Sequence, residues 1–169
     1  MQKHLTKAEI KTLAQLLKRL PSIPNIPENV FVSLMRKNVP VATELALIQN
    51  RKVLLIYRND KYFKGWHFPG SYMSPRETFL TTCQRTARVE AGLKIKNSKS
   101  LSARRVIVYD SRRFKCVSIF FSCATLKTAK HGVWFAKMPQ DIIPEHRKLW
   151  QIIKPLLLGK SMSNHVSYK

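Results

Sequence analysis

Between Phe68 and Leu93 the chain reads FPGSYMSPRETFLTTCQRTARVEAGL, a stretch that sets a turn, a helix start and a helix stop in fixed order. Ser74 is a residue type that caps helices, Pro75 suits a first turn, and Glu77 stands three residues after the cap, where its carboxylate can reach back to the cap amide. Gly92 accepts the left-handed conformation that ends a helix. The spacing predicts a helix from about Pro75 to Ala91, entered through the aromatic loop KYFKGWHFPGS with Gly65 and Gly70. Residues three and four apart share a helix face, so Thr86, Val89 and Glu90 lie together there and offer one carboxylate.

The flanks supply a sheet. VATELALIQNRKVLLIYRND, from Val41, reads as two strands turning near Asn50. RRVIVYD and KCVSIFFSCAT form a second strand pair joined through Asp110 to Phe114, and VWFA is a short strand. PEHRKLWQIIKPLLL is the final helix, with Pro155 to kink or end it. These elements make one α/β domain over residues 41–158, with a polar tail at 159–169. Ahead of it, residues 1–40 form a helical extension and Pro-rich connector. Thr6 and Glu9 read as a capping box, and Ile10, Leu13, Ala14, Leu17 and Leu20 recur at helical spacing, which predicts a helix docked by its apolar face. Pro21, Pro24, Pro27 and Pro40 then surround one short helix. A length of 169 residues suits one domain with a sizeable core and leaves no room for two.

Thirty-one Lys and Arg against nine Asp and Glu give a formal charge of +22, spread along the chain rather than gathered in a tail. Such a field attracts nucleotides, nucleic acid or anionic lipid, and a generally solvated basic surface is the plainer reading. Arg104, Arg105, Arg112, Arg113 and Lys115 flank a hairpin, either as an anion-binding rim or as a solvated face. No apolar run approaches the ~18 residues of a membrane helix. Cys83, Cys116 and Cys123 are odd in number and lack CxxC spacing, so neither a disulfide framework nor a zinc site is indicated, and a reducing, cytoplasmic compartment is expected. The basic amphipathic start also has the composition of an organelle-targeting peptide, but its capping box favours an ordinary helix.

From Gly70 to Leu93 the register resembles the Nudix box. Ser71 takes the opening glycine's place, Glu77 matches the first glutamate, Arg85 the arginine, Glu90 the last glutamate and Gly92 the closing glycine, while Thr86 and Val89 replace two glutamates. The resemblance implies a Nudix α/β/α sandwich with a mixed central sheet, here preceded by the N-terminal helical extension. It also implies Mg²⁺-dependent (or Mn²⁺-dependent) hydrolysis of a nucleoside-diphosphate-linked compound. The missing inner acids are similar to the GDP-mannose mannosyl hydrolase branch, which holds one ion and uses a histidine beyond the box as base. On that resemblance Gly70 and Glu90 are metal ligands, with Glu77 as a further one. Arg58 and Tyr72 contact substrate, and Arg85 acts on phosphate charge. Glu44 and His131 are the candidates for proton transfer.

Each of these residues has a plainer reading. Glu77 can cap the helix and pair with Arg85 two turns on; Glu90 can pair with Arg88 or Lys94; Glu44 can pair with Arg58 on the adjacent strand. His131 reads equally as a loop histidine. Tyr62, Phe63, Trp66 and Phe68 read as packing, with Trp66 the one set aside as a substrate-stacking candidate. The alternative function is a catalytically inactive nucleotide or RNA binding module that keeps the fold. A homodimer is compatible with the chain, and the N-terminal helix and connector could serve protein assembly.

Overall fold

A computed structural model describes residues 4–21, 25–95, 101–110 and 113–160; Pro24, Arg112 and most of the 159–169 tail lie outside them. In chain order the elements are α1 (Lys7–Arg19), α2 (Glu28–Met35), β1 (Val41–Gln49), β2 (Lys52–Asn59), β3 (Lys64–His67), β4 (Gly70–Tyr72), α3 (Phe79–Ala91), β5 (Leu101–Asp110), β6 (Lys115–Ala124), β7 (Val133–Phe135) and α4 (Pro144–Leu157). The sheet runs β3-β2-β1-β6-β5, with β4 paired to β1 and β7 to β2. Its mixed character comes from one parallel pairing, Val41–Ile48 of β1 beside Val117–Ala124 of β6; the other strand pairs are antiparallel. The hairpin turn falls at Asn50 and Arg51, both at positive φ, as a two-residue connection between twisted strands requires.

β1 is buried from Ala42 to Leu47, and its side chains divide two cores. Leu45 and Leu47 pack with Leu54, Cys83, Ala87 and Phe121 under α3. Ala46 points the other way, into Val53, Leu55, Phe68, Phe120, Leu149 and Ile153 under α4. The period of two in the strands against the helical period in α3 and α4 therefore builds an α/β/α sandwich. A third, smaller cluster joins Phe31 and Val32 of α2 to Phe114 and Cys116, so the short helix foreseen in the connector is docked on the domain.

Two expectations are corrected. α1 has its Thr6–Glu9 capping box, but no residue of it is buried, so it is not the docked helix that its apolar spacing predicted. α3 begins at Phe79, with Thr78 and Thr81 forming the capping box, rather than at Pro75 behind Ser74. Arg76 lies at φ 72, in the left-handed region that a right-handed helix cannot pass through, so the bond from the Ser74 amide to Glu77 closes a turn ahead of the helix. Gly92 closes the helix at φ 63, as foreseen. Among the described residues no helix is long and apolar enough to cross a membrane.

Because Thr78 accepts the Thr81 amide, Thr78→Ala is expected to cost about 1 kcal/mol in urea unfolding. An unchanged midpoint would show that α3 does not depend on this cap.

Candidate active site

Gly70 fixes the site. It pairs with Glu44 across β4 and β1, and a Cβ on it would lie 3.2 Å from both the Glu44 Cγ and the Thr43 carbonyl oxygen. Its amide donates to Glu90 Oε2 at 3.2 Å. One residue without a side chain thus draws a β1 carboxylate and an α3 carboxylate toward the same place. Both acids line a cavity of about 580 Å³, together with Arg58, His67, His146 and Tyr72. Glu90 turns inward, away from the surface pairing with Arg88 or Lys94.

Glu44 is buried and accepts hydrogen bonds from the Tyr109 and Ser118 hydroxyls, each at 3.2 Å. Burial pushes its pKa up to about 7; the two hydroxyls oppose the rise and the charge of Glu90 adds to it. Glu90 is likewise raised to about 7 by burial, eased by the Gly70 amide, Arg58 and Arg85. Arg58 does not pair with Glu44 as expected: it pairs with Asp60 and lies over the Phe63 ring at 4.7 Å. The partners of Glu44 are two hydroxyls, Ser118 from the adjacent strand β6 and Tyr109 from β5 beyond it.

Two histidines complete the wall. His67 Nδ1 lies 2.7 Å from the Phe68 carbonyl, to which it donates, and the Phe68 amide donates to His146 Nδ1 at 3.1 Å. The backbone of one residue, Phe68, therefore fixes both tautomers, leaving a lone pair on His67 Nε2 and a proton on His146 Nε2. Burial lowers His67 to about 4 and His146 to about 3. His146 is thus neutral, and its 3.9 Å approach to Glu44 is not an ion pair.

The other expected site residues fall in different places. Arg85 uses all three nitrogens: Nε and Nη2 on Glu77 at 2.7 and 2.8 Å, Nη1 on the Ser71 hydroxyl at 2.7 Å, and Nη2 on the Tyr72 carbonyl at 2.8 Å. It braces β4 rather than facing substrate. Glu77 also accepts the Ser74 amide and the Thr82 hydroxyl, and Arg85 holds it down at about 2, so its oxygens are committed and it does not line the cavity. Trp66 is packing, edge-on to Tyr57 and Phe135. His131 is exposed beyond α3, with its amide on the Ala91 carbonyl, and does not reach the cavity. Tyr72 does line it, with its ring against Phe31 of α2 and Phe114. Of the basic rim, Arg104 binds the Ser122 hydroxyl at 2.6 Å, while Arg113 lies 4.8 Å over the Tyr62 ring and lines the cavity.

Thr86 is buried, with no partner for its hydroxyl among the described residues, and Val89 points to solvent. No group of three His, Cys, Asp or Glu suited to a metal occurs among those residues. A buried and a half-buried carboxylate on one cavity wall, the charge of Glu90 raising the proton affinity of Glu44, nevertheless fit one Mg²⁺, which takes hard oxygens and completes its shell with water and phosphate.

A family model, the NUDIX domain, matches residues 39–148. The chain belongs to the Nudix family. Its fold is similar to the MutT NUDIX hydrolase of Burkholderia pseudomallei, with a TM-score of 0.60 and 16% identity over 69% of this chain and 98% of that one. The NUDIX domain of Shewanella oneidensis NrtR, complexed with ADP ribose, gives 0.55 and 17% over 90% and 99%. A bifunctional NMN adenylyltransferase/ADP ribose pyrophosphatase of Francisella tularensis, complexed with AMP and a Mn ion, gives 0.56 and 16% over 90% of this chain and 50% of that chain. At these identities the likeness is one of fold. No curated protein matches the chain.

The sequence alone did not point to His67, His146, Glu28 and Phe31 in the wall of this Nudix cavity, nor to Tyr109 and Ser118, which hold Glu44. His67 stands inside the quoted GWHFPG loop, and His146 opens α4, so adjacency to the motif loop was a usable signal for the first only.

The buried Glu44 carboxyl keeps its proton up to about 7 in the fold, whereas the unfolded chain releases it near 4.5. Between those values its titration lowers stability as pH rises. Glu44→Gln is therefore expected to raise stability at pH 8 by roughly 1 to 3 kcal/mol in metal-free buffer, and to have little effect near pH 4. Equal effects at both pH values in thermal melts would refute the assignment.

Proposed function

We propose that this protein hydrolyses a nucleoside-diphosphate-linked compound with one Mg²⁺ or Mn²⁺. The observation that carries the reading is the convergence of Glu44 and Glu90 on one cavity across Gly70, kept although two box acids are gone. Glu90 and the Gly70 carbonyl would hold the ion, which when bound neutralises diphosphate charge and lowers the pKa of water. Arg58 and Arg113 bring positive charge to the diphosphate from the cavity wall. Glu44, poised at about 7, takes the proton from the attacking water, a strength matched to neutral pH. Its hydroxyl partners Tyr109 and Ser118 hold the carboxylate in place while it does so. His146 Nε2–H is available as a donor, and His67 Nε2 as an acceptor, for polar groups of the substrate. The ADP ribose and AMP bound by the Shewanella and Francisella proteins support a nucleotide in this role.

The resemblance to the mannosyl hydrolase branch rests on Gly70, Glu90, Arg58 and Glu44, and attack at sugar carbon is not carried over, because its base would have to be His131. A panel of ADP-ribose, nucleotide sugars and dinucleoside polyphosphates, assayed with Mg²⁺ and Mn²⁺, tests the proposal. Turnover is expected to rise with pH through about 7. It should drop about a hundredfold or more in Glu90→Gln and Glu44→Gln, and stay unchanged in His131→Ala. Absence of turnover across the panel would sink it.

The replacement of two acids by a buried Thr86 and an exposed Val89 favours a second reading, a nucleotide or RNA binding module without turnover. It predicts calorimetric binding with no product, and for RNA a log-log salt slope of about −0.7 per phosphate contact.

A further inference from the structure

α1 answers to nothing in the catalytic reading. Its thirteen residues are all exposed, and Leu5, Ile10, Leu13, Leu16 and Leu17 show 41 to 54% of their surface to solvent. Lys7, Lys11 and Lys18, four and seven residues apart, form one stripe along the edge of the apolar face, and Arg19 lies on its opposite side. The helix has one acid, Glu9, and the capping box spends it: Oε2 accepts the Thr6 amide at 2.7 Å and the Thr6 hydroxyl at 2.8 Å. An isolated helix of this length is marginal in water, so its leucines call for a cover.

A second copy of α1 would bring two lysine stripes together with no free acid between them, on a protein that already carries +22. An anionic bilayer surface instead accepts the leucines in its acyl boundary and the lysines among its headgroups, the pattern of helices that lie in the membrane interface. We propose that α1 is an interfacial anchor that lays its leucine face into an anionic lipid surface and holds the Nudix domain beside it.

The full chain tests this by co-sedimentation with vesicles of equal parts phosphatidylserine and phosphatidylcholine, and with vesicles of phosphatidylcholine alone. The protein should sediment with the first and remain free of the second. The double substitution Leu13→Glu, Leu17→Glu should weaken partitioning about tenfold or more, and Lys7→Gln, Lys11→Gln, Lys18→Gln should weaken it at low salt. Both variants should melt as the parent does, because no α1 residue is buried. Failure to sediment, or sedimentation unaffected by the leucine changes, overturns the proposal. It is equally overturned if light scattering shows that the leucine changes convert a dimer to a monomer, or if they abolish RNA binding while vesicles stay unbound.

Discussion

The approach of three chain segments at Gly70 governs this molecule. β1, β4 and the last turn of α3 come together there because the position has no Cβ, and the Gly70 amide then has only the Glu90 carboxylate to satisfy it from the helix side. The opposing pull comes from Arg85. Its fork holds Glu77, Ser71 and the Tyr72 carbonyl at once, which pins β4 to α3 just outside the cavity. A charged brace thus holds β4, and with it Gly70, against the helix that carries Glu90.

Much of the frame could be read from the chain, because local chemistry decides it. The Asn50 hairpin, the Gly92 stop and the Glu77–Arg85 pair each depend on residues a few positions apart, and all three stand as expected. The start of α3 could not be read so well. Ser74 with Glu77 and Thr78 with Thr81 both offer a capping pair and both make a hydrogen bond, but Arg76 at φ 72 breaks the helical path between them and leaves the start to the second. The site was harder still. Glu44 was given Arg58 because the two share neighbouring strands, yet its partners come from β5 and β6, far along the sequence. His131 is a candidate only through the resemblance and Trp66 only through its place in the aromatic loop; the first is exposed beyond α3 and the second packs on Tyr57 and Phe135, so neither lines the cleft.

The interior of the cleft is balanced in its titration. From about pH 4.5 to 6.5 the fold keeps protons on Glu44 and Glu90 that an unfolded chain would release, which lowers stability as pH rises. Over the same range His67 and His146 refuse protons that an unfolded chain would take up, which raises it. The two effects on stability oppose each other over that range. Arg58 and Arg113 place positive charge on the wall that an incoming anion meets.

The wall that α2 contributes has a consequence for how this protein could diverge. Phe31 leans on Tyr72, and Ile26 and Glu28 border the same space, although all three precede the segment that matches the family. The segment that matches the family carries the reactive groups, and residues ahead of it shape the room in front of them. Drift in those few preceding residues could retune which molecule is admitted while leaving the acids, their hydroxyl partners and the brace untouched.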